Sequence, residues 1–81
     1  MRSDTVQEKL VVADSIAGRL IGRNGKHLLS LEERSGARIM LSPRVKSIPD
    51  RIATVVGRPG DVRRACALIR ENMREFADCG D

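Results

Sequence analysis

The residues of this 81-residue sequence best suited to chemistry lie in one run, Gly18 to Ser35, GRLIGRNGKHLLSLEERS. Its centre is Gly22-Arg23-Asn24-Gly25, where two glycines flank a cation and an amide. Glycine has no Cβ, so it lets the backbone turn sharply and lets another molecule come close. A helix that starts at about Gly25 would aim its first free N–H groups and the positive end of its dipole at whatever lies over the turn. Arg23 and Lys26 add positive charge at the same spot. The chemistry such a turn can do is to hold an anion, above all a phosphate.

Other chemistries fit poorly. A Walker turn needs glycine where Leu20 stands and Ser or Thr where His27 stands, and the spacing of Gly18, Gly22 and Gly25 does not make GxGxxG. His27 is the single histidine, on a helix beside basic residues, and no nucleophile–base pair can be nominated. Its expected place is an exposed helical position near the turn. Cys66 and Cys79 are thirteen apart with no CxxC, so no zinc site is expected, and no cofactor either. The two thiols favour a reducing compartment. No apolar run is long enough for a signal peptide or a membrane span. The expectation is a binding module and no enzyme.

Charge supports an anionic partner. Lys and Arg number 15 against 11 Asp and Glu, for a formal net charge of +4. Between Gly18 and Lys46 there are seven Lys/Arg and two Glu, while Met1 to Ala17 sums to −1 and Ser47 to Asp81 to zero. The whole excess surrounds the glycine turn and the segment after it, which favours a polyanion, nucleic acid before membrane.

The elements that must position this turn follow from the apolar pattern. Val6 to Val12 reads as a strand. Asp14 or Ser15 offers an N-cap to a helix of about two turns carrying Ile16, Ala17, Leu20 and Ile21. Gly18 inside it costs roughly 1 kcal/mol against alanine, so either close helix packing or an outside partner needs the bare backbone there. A second helix runs from the turn to about Arg34 or Ser35, with Leu28 and Leu31 on one face, and Gly36 stands where a left-handed residue would end it. Ala37 to Leu41 is a strand with Ile39 and Leu41 on one face and Arg38 and Met40 on the other. Ser42 to Asp50, with two prolines, is a loop. Arg51 to Val56 is a third strand, and Pro59 suits the entry of a last helix. In that helix Val62, Ala65, Cys66, Ile69, Met73 and Phe76 form the apolar stripe, with Cys66 a core residue. The order is β-α-α-β-β-α, an α+β layer of three strands with helices on one face. With one aromatic residue in the chain, its core must be aliphatic.

The run GRLIGRNGKHLLSLEERSGARIML resembles the signature of the K-homology (KH) domain in its eukaryotic type I form: a glycine, two residues, an aliphatic residue before GxxG, an apolar helix, then Gly-Ala-x-Ile. Gly18, Ile21, Gly22, Gly25, Leu28, Leu31, Gly36, Ala37 and Ile39 stand in those places. The likeness covers residues 6–76 as one domain and leaves 1–5 and 77–81 as flexible ends. GRLIGRNG is also similar to KH modules found beside Tudor domains in proteins of the mitochondrial surface. The resemblance implies a three-stranded antiparallel sheet with three helices on one face, and binding of single-stranded RNA, or DNA, in a groove for about four nucleotides. By position, Gly18, Ile21, Leu28, Ile39 and Leu41 would form its apolar floor, and Gly22, Arg23, Asn24 and Gly25, with Lys26, would clamp the sugar-phosphate backbone. The second strand, Arg38 to Leu41 with Met40, would read base edges, and Arg38 or Arg51 could add hydrogen bonds. An intracellular setting, cytoplasmic or nuclear, is implied, or the mitochondrial surface through a parent protein. The rival expectation is a KH module that binds protein or dimerises; the intact turn with Arg23 argues against it.

Overall fold

A computed structural model describes residues 4–78. Strand β1 (Val6–Ala13) leads into helix α1 (Asp14–Ile21), a single 3-10 turn (Arg23–Gly25), helix α2 (Lys26–Ser35), strands β2 (Arg38–Leu41) and β3 (Asp50–Gly57), and helix α3 (Pro59–Asp78). The sheet order is β1-β3-β2, antiparallel throughout, with β3 in the middle. The expected element order and the type I KH arrangement are both present.

Alternation along each strand decides which face is covered. Val12, Ile39, Ala53 and Val55 are buried under the helices, while Val11, Met40 and Ile52 stand exposed on the open face. Helix α3 contributes Val62, Ala65, Cys66 and Ile69 to the same core, and Leu20 and Leu31 seat α1 and α2 on it. Each fully buried aliphatic side chain of this size contributes about 1.5–3 kcal/mol. Cys66 is 5% exposed, and burial pushes its thiol pKa up, so it packs as a small apolar group. Met73 and Phe76 are only partly buried against that core. Cys79 lies outside the described residues, as do Met1–Ser3 and the last residues of the expected flexible ends. Residues 77 and 78, also expected to be flexible, belong to α3.

Two local expectations are corrected, and one left open is decided. The first strand continues to Ala13, and α1 has no side-chain cap. Asp14 is instead a first-turn residue whose N–H donates to the Pro49 carbonyl at 2.7 Å and whose carboxylate faces Arg44 and Arg51. The third strand starts at Asp50, which shortens the loop to residues 42–49. Gly18 is exposed, and a Cβ built on it meets nothing within 4 Å, so helix packing does not account for it.

The end of α2 matches its expectation in detail. Gly36 adopts φ +85° and donates its N–H to the Glu32 carbonyl at 2.8 Å. The buried Ser35 hydroxyl accepts the Ala37 N–H, and Arg64 donates to the Ser35 carbonyl. The last turn of α2 is therefore satisfied before the chain enters β2.

Ile39, 3% exposed at the centre of β2, gives a test of this core. Replacement by aspartate places an unpaired carboxylate there, and Ile39→Asp should destabilise the domain by more than about 3 kcal/mol in urea unfolding. A loss under about 1 kcal/mol would mean that β2 is not part of the cooperative core.

Candidate nucleic-acid interface

The turn between α1 and α2 is built from left-handed backbone. Gly22 has φ +74°, Asn24 φ +57° and Gly25 φ +75°. Asn24 is the one non-glycine residue among those described with positive φ, and asparagine tolerates that region better than most. The Gly22 N–H donates to the Gly18 carbonyl at 3.0 Å, which closes α1, and the Gly25 N–H donates to the Gly22 carbonyl at 3.3 Å.

The two glycines are needed for different reasons. A Cβ on Gly22 would stand 2.6 Å from His27 Cβ and 3.0 Å from the His27 backbone nitrogen, so the chain must be bare on its inner side. A Cβ on Gly25 would meet nothing within 4 Å, so that position faces open space. Arg23, Asn24 and Lys26 are exposed. The ion pairs among the described residues involve Arg44, Arg51 and Arg64, and leave Arg23 and Lys26 uncommitted. Helix α2 starts at Lys26 with no side-chain cap and no acid in its first turn. The positive end of a helix dipole and two cations thus meet at one exposed spot, with no acid in the first turn of α2.

His27 is half-buried and bonded, where an exposed side chain was expected. Its Nε2 lies 3.1 Å from Asn72 Oδ1, and Asn72 Nδ2 donates to the Leu68 carbonyl at 2.7 Å. That second bond fixes the amide, so the imidazole carries its proton on Nε2. The ring also meets Phe76 edge-on at 6.2 Å, and the Arg19 guanidinium lies 5.7 Å from the Phe76 ring centre. Helix α3 thereby backs the turn through His27.

The remaining expected site residues are divided. Gly18, Ile21 and Leu28 lie along the same α1–turn–α2 run, the last two half-buried. Leu41 is half-buried on the helix-covered face of β2. Ile39 has its side chain in the core, which leaves little of it to form a floor. Its N–H is also taken, by the Glu32 carboxylate at 2.8 Å. Arg38 and Met40 project from the opposite, open face of the sheet, as the two-residue period of a strand requires, so their side chains are not brought to the turn. Arg51 is turned inward: its Nε donates to the Ser42 carbonyl at 2.9 Å, NH1 lies 3.6 Å from Asp14 Oδ1, and its side chain is 15% exposed.

Sequence reasoning missed the roles of Glu32 and Asn72, and read Asp14 only as a cap. Glu32 bonds the Ile39 N–H seven residues on, and Asn72 stands 45 residues from its partner. Neither has a local pattern that would reveal it.

Three helices on one face of an antiparallel β1-β3-β2 sheet, with the glycine turn between the first two, define the type I KH fold. The fourteenth KH type I domain of human vigilin, a solved structure, superposes with a TM-score of 0.83 over 96% of this chain and 81% of that one, at 22% identity. The KH-domain profile matches residues 7–71, and the chain belongs to the KH-domain family. Among curated proteins, human RNA-binding protein Nova-2 is 37% identical over 71 residues, 85% of this chain and 14% of Nova-2. Human far upstream element-binding protein 2 is 30% identical over 65 residues, 80% of this chain and 9% of that protein. The RNA-binding protein Pasilla of Drosophila melanogaster is 30% identical over 91% of this chain and 10% of its own length. The chain thus spans a small fraction of each relative. No helix among the described residues is long and apolar enough to cross a membrane.

The geometry of the turn gives a prediction for Gly22. Gly22→Ala forces a methyl against His27 at a positive φ, and should cost about 1–3 kcal/mol in thermal or urea unfolding. Gly25→Ala bears the φ penalty alone and should cost about 1 kcal/mol. Equal costs would mean that His27 does not pack under the turn.

Proposed function

We propose that this domain binds single-stranded RNA, or DNA less favourably, with the sugar-phosphate backbone on the glycine turn and the bases over aliphatic side chains beside it. The observation that carries this reading is the exposed turn, with uncommitted Arg23 and Lys26 beside the uncapped start of α2. Family membership supports it, since two of the relatives are named as RNA-binding proteins.

In this mode Gly22, Arg23, Asn24 and Gly25 clamp about four nucleotides, and Lys26 adds charge. Ile21, Leu28 and Leu41 offer half-buried aliphatic surface to the bases, and Gly18 lets the strand lie close against α1. The alternation of the β2–β3 ladder, fixed at its end by the Ser42 N–H to the Ile52 carbonyl, turns the Leu41 N–H and carbonyl away from β3. Those two groups are suited to reading a base edge. Arg51 acts here by bracing the loop against α1. The chain has no Tyr or Trp, so stacking platforms of the usual kind are lacking, and single-domain affinity is modest. A narrow site that grips unpaired bases selects single strands over duplex.

An intracellular setting fits this partner. Nothing in the site calls for catalysis, and no enzymatic role is proposed.

The decisive variant is Arg23→Asp with Asn24→Asp. Both side chains are exposed, so the thermal midpoint should stay near wild type. RNA binding, read by fluorescence anisotropy with a randomised short single-stranded pool, should be lost. In the wild type, log K should fall with log salt at a slope of about −0.7 per phosphate contacted. Unchanged affinity in the double variant would remove the turn as the clamp. Absence of wild-type binding at low salt would favour a protein-binding module instead.

A further inference from the structure

The geometry points to Asn72, on α3, as a positioning residue for the glycine turn: acting through His27, it holds the turn in the shape that grips a nucleic-acid strand, without touching the strand itself. This rests on the RNA-binding reading of the turn. Asn72 Oδ1 lies 3.1 Å from His27 Nε2, and Asn72 Nδ2 donates to the Leu68 carbonyl at 2.7 Å. Both ends of the amide are engaged, so it is fixed to its own helix and cannot follow the imidazole if the ring moves.

His27 carries that fixed point to the turn. It follows Lys26 at the start of α2, and its Cβ and backbone nitrogen fill the space where a side chain on Gly22 would be. The ring is bonded directly to that Cβ, so a displaced ring shifts the support under Gly22. A second contact from the same face of α3 reaches the other helix. Phe76, one turn after Asn72, meets the His27 ring edge-on at 6.2 Å, and the guanidinium of Arg19, in the last turn of α1, lies 5.7 Å from the Phe76 ring centre. Asn72 and Phe76 together therefore clip the end of α1 to the start of α2, and the gap they set is the gap that Gly22 to Gly25 must span.

The turn needs such outside support. It has no side-chain cap at either helix, three of its four residues have positive φ, and the Gly25 N–H to Gly22 carbonyl bond across it is long, at 3.3 Å. A turn left to order itself on binding would spend part of the binding energy in doing so. Neither His27 nor Asn72 belongs to the buried apolar core, and both are half-buried. Their bond therefore bears on the shape of the turn more than on the packing of the domain.

The test is a double-mutant cycle of Asn72→Leu with His27→Ala, which keeps the Cβ under Gly22 and removes the ring. Asn72→Ala is carried in parallel and should match Asn72→Leu. Amide chemical shifts are read in the free proteins, and affinity for a short single-stranded RNA pool of mixed sequence is read by fluorescence anisotropy, well below every thermal midpoint. In free Asn72→Leu the Gly22 and Gly25 amides should already move. RNA affinity should fall about fivefold, with the salt slope unchanged because no phosphate contact is lost. In the His27→Ala background, Asn72→Leu should cause no further loss. Val55→Ala, which trims a fully buried residue of the middle strand, should lower the thermal midpoint and leave affinity as in wild type. Additive losses in the cycle would mean that Asn72 acts on the strand directly, and would overturn the role. Unmoved turn amides, unchanged affinity in Asn72→Leu, or an equal loss in Val55→Ala would overturn it too. Wild type that binds no RNA would sink the RNA-binding reading itself, and the positioning role with it.

Discussion

Left-handed backbone between two short helices is the constraint on which the structure depends. Gly22 must be bare because His27 lies beneath it, and Gly25 and Asn24 must accept positive φ so that α2 can start with only four residues between it and the end of α1. The strain is local, and the elements around the turn hold it. Leu20 and Leu31 are 1% and 0% exposed, so both flanking helices are anchored from inside while the turn between them stays outside. An exposed turn on buried supports can present backbone N–H groups without rearranging them on binding.

Helix α3 has two tasks that its amphipathic pattern does not distinguish. Its apolar stripe closes the core with Val62, Ala65, Cys66 and Ile69. Its later turns hold Asn72 and Phe76 against His27, and Phe76 meets Arg19 from α1. The turn thus has polar and aromatic backing from an element far away in sequence. The start of α3 has a similar role at the other end of α2, where Arg64 donates to the Ser35 carbonyl and Asp61 packs beside Gly36. Both ends of α2 are therefore tied to α3.

Much of this was legible in the sequence because it is written in local terms. The GxxG turn, the left-handed Gly36, Pro59 at the start of α3 and the stripe from Val62 to Phe76 each need only neighbours within a turn or two. Strand alternation likewise put Ile39 and Leu41 under the helices. What escaped was the pairing of polar groups across the fold. Asp14 looked like a cap and is a tether for two arginines; Arg51 looked like a nucleic-acid contact and is turned inward. The position of His27 could not be read from helical periodicity, because its partner Asn72 comes from another helix. Gly18 is the opposite case: the sequence left packing and outside contact open, and the empty space around it decides against packing.

Glu32 has a consequence for selectivity. Its carboxylate occupies the Ile39 N–H, so the outer margin of β2 has one fewer donor to offer a visitor. In the proposed mode that leaves the Leu41 N–H as a donor on this margin, with the Ile39 and Leu41 carbonyls turned away from β3 beside it as acceptors. Discrimination in that proposed mode falls chiefly on the base that faces this margin.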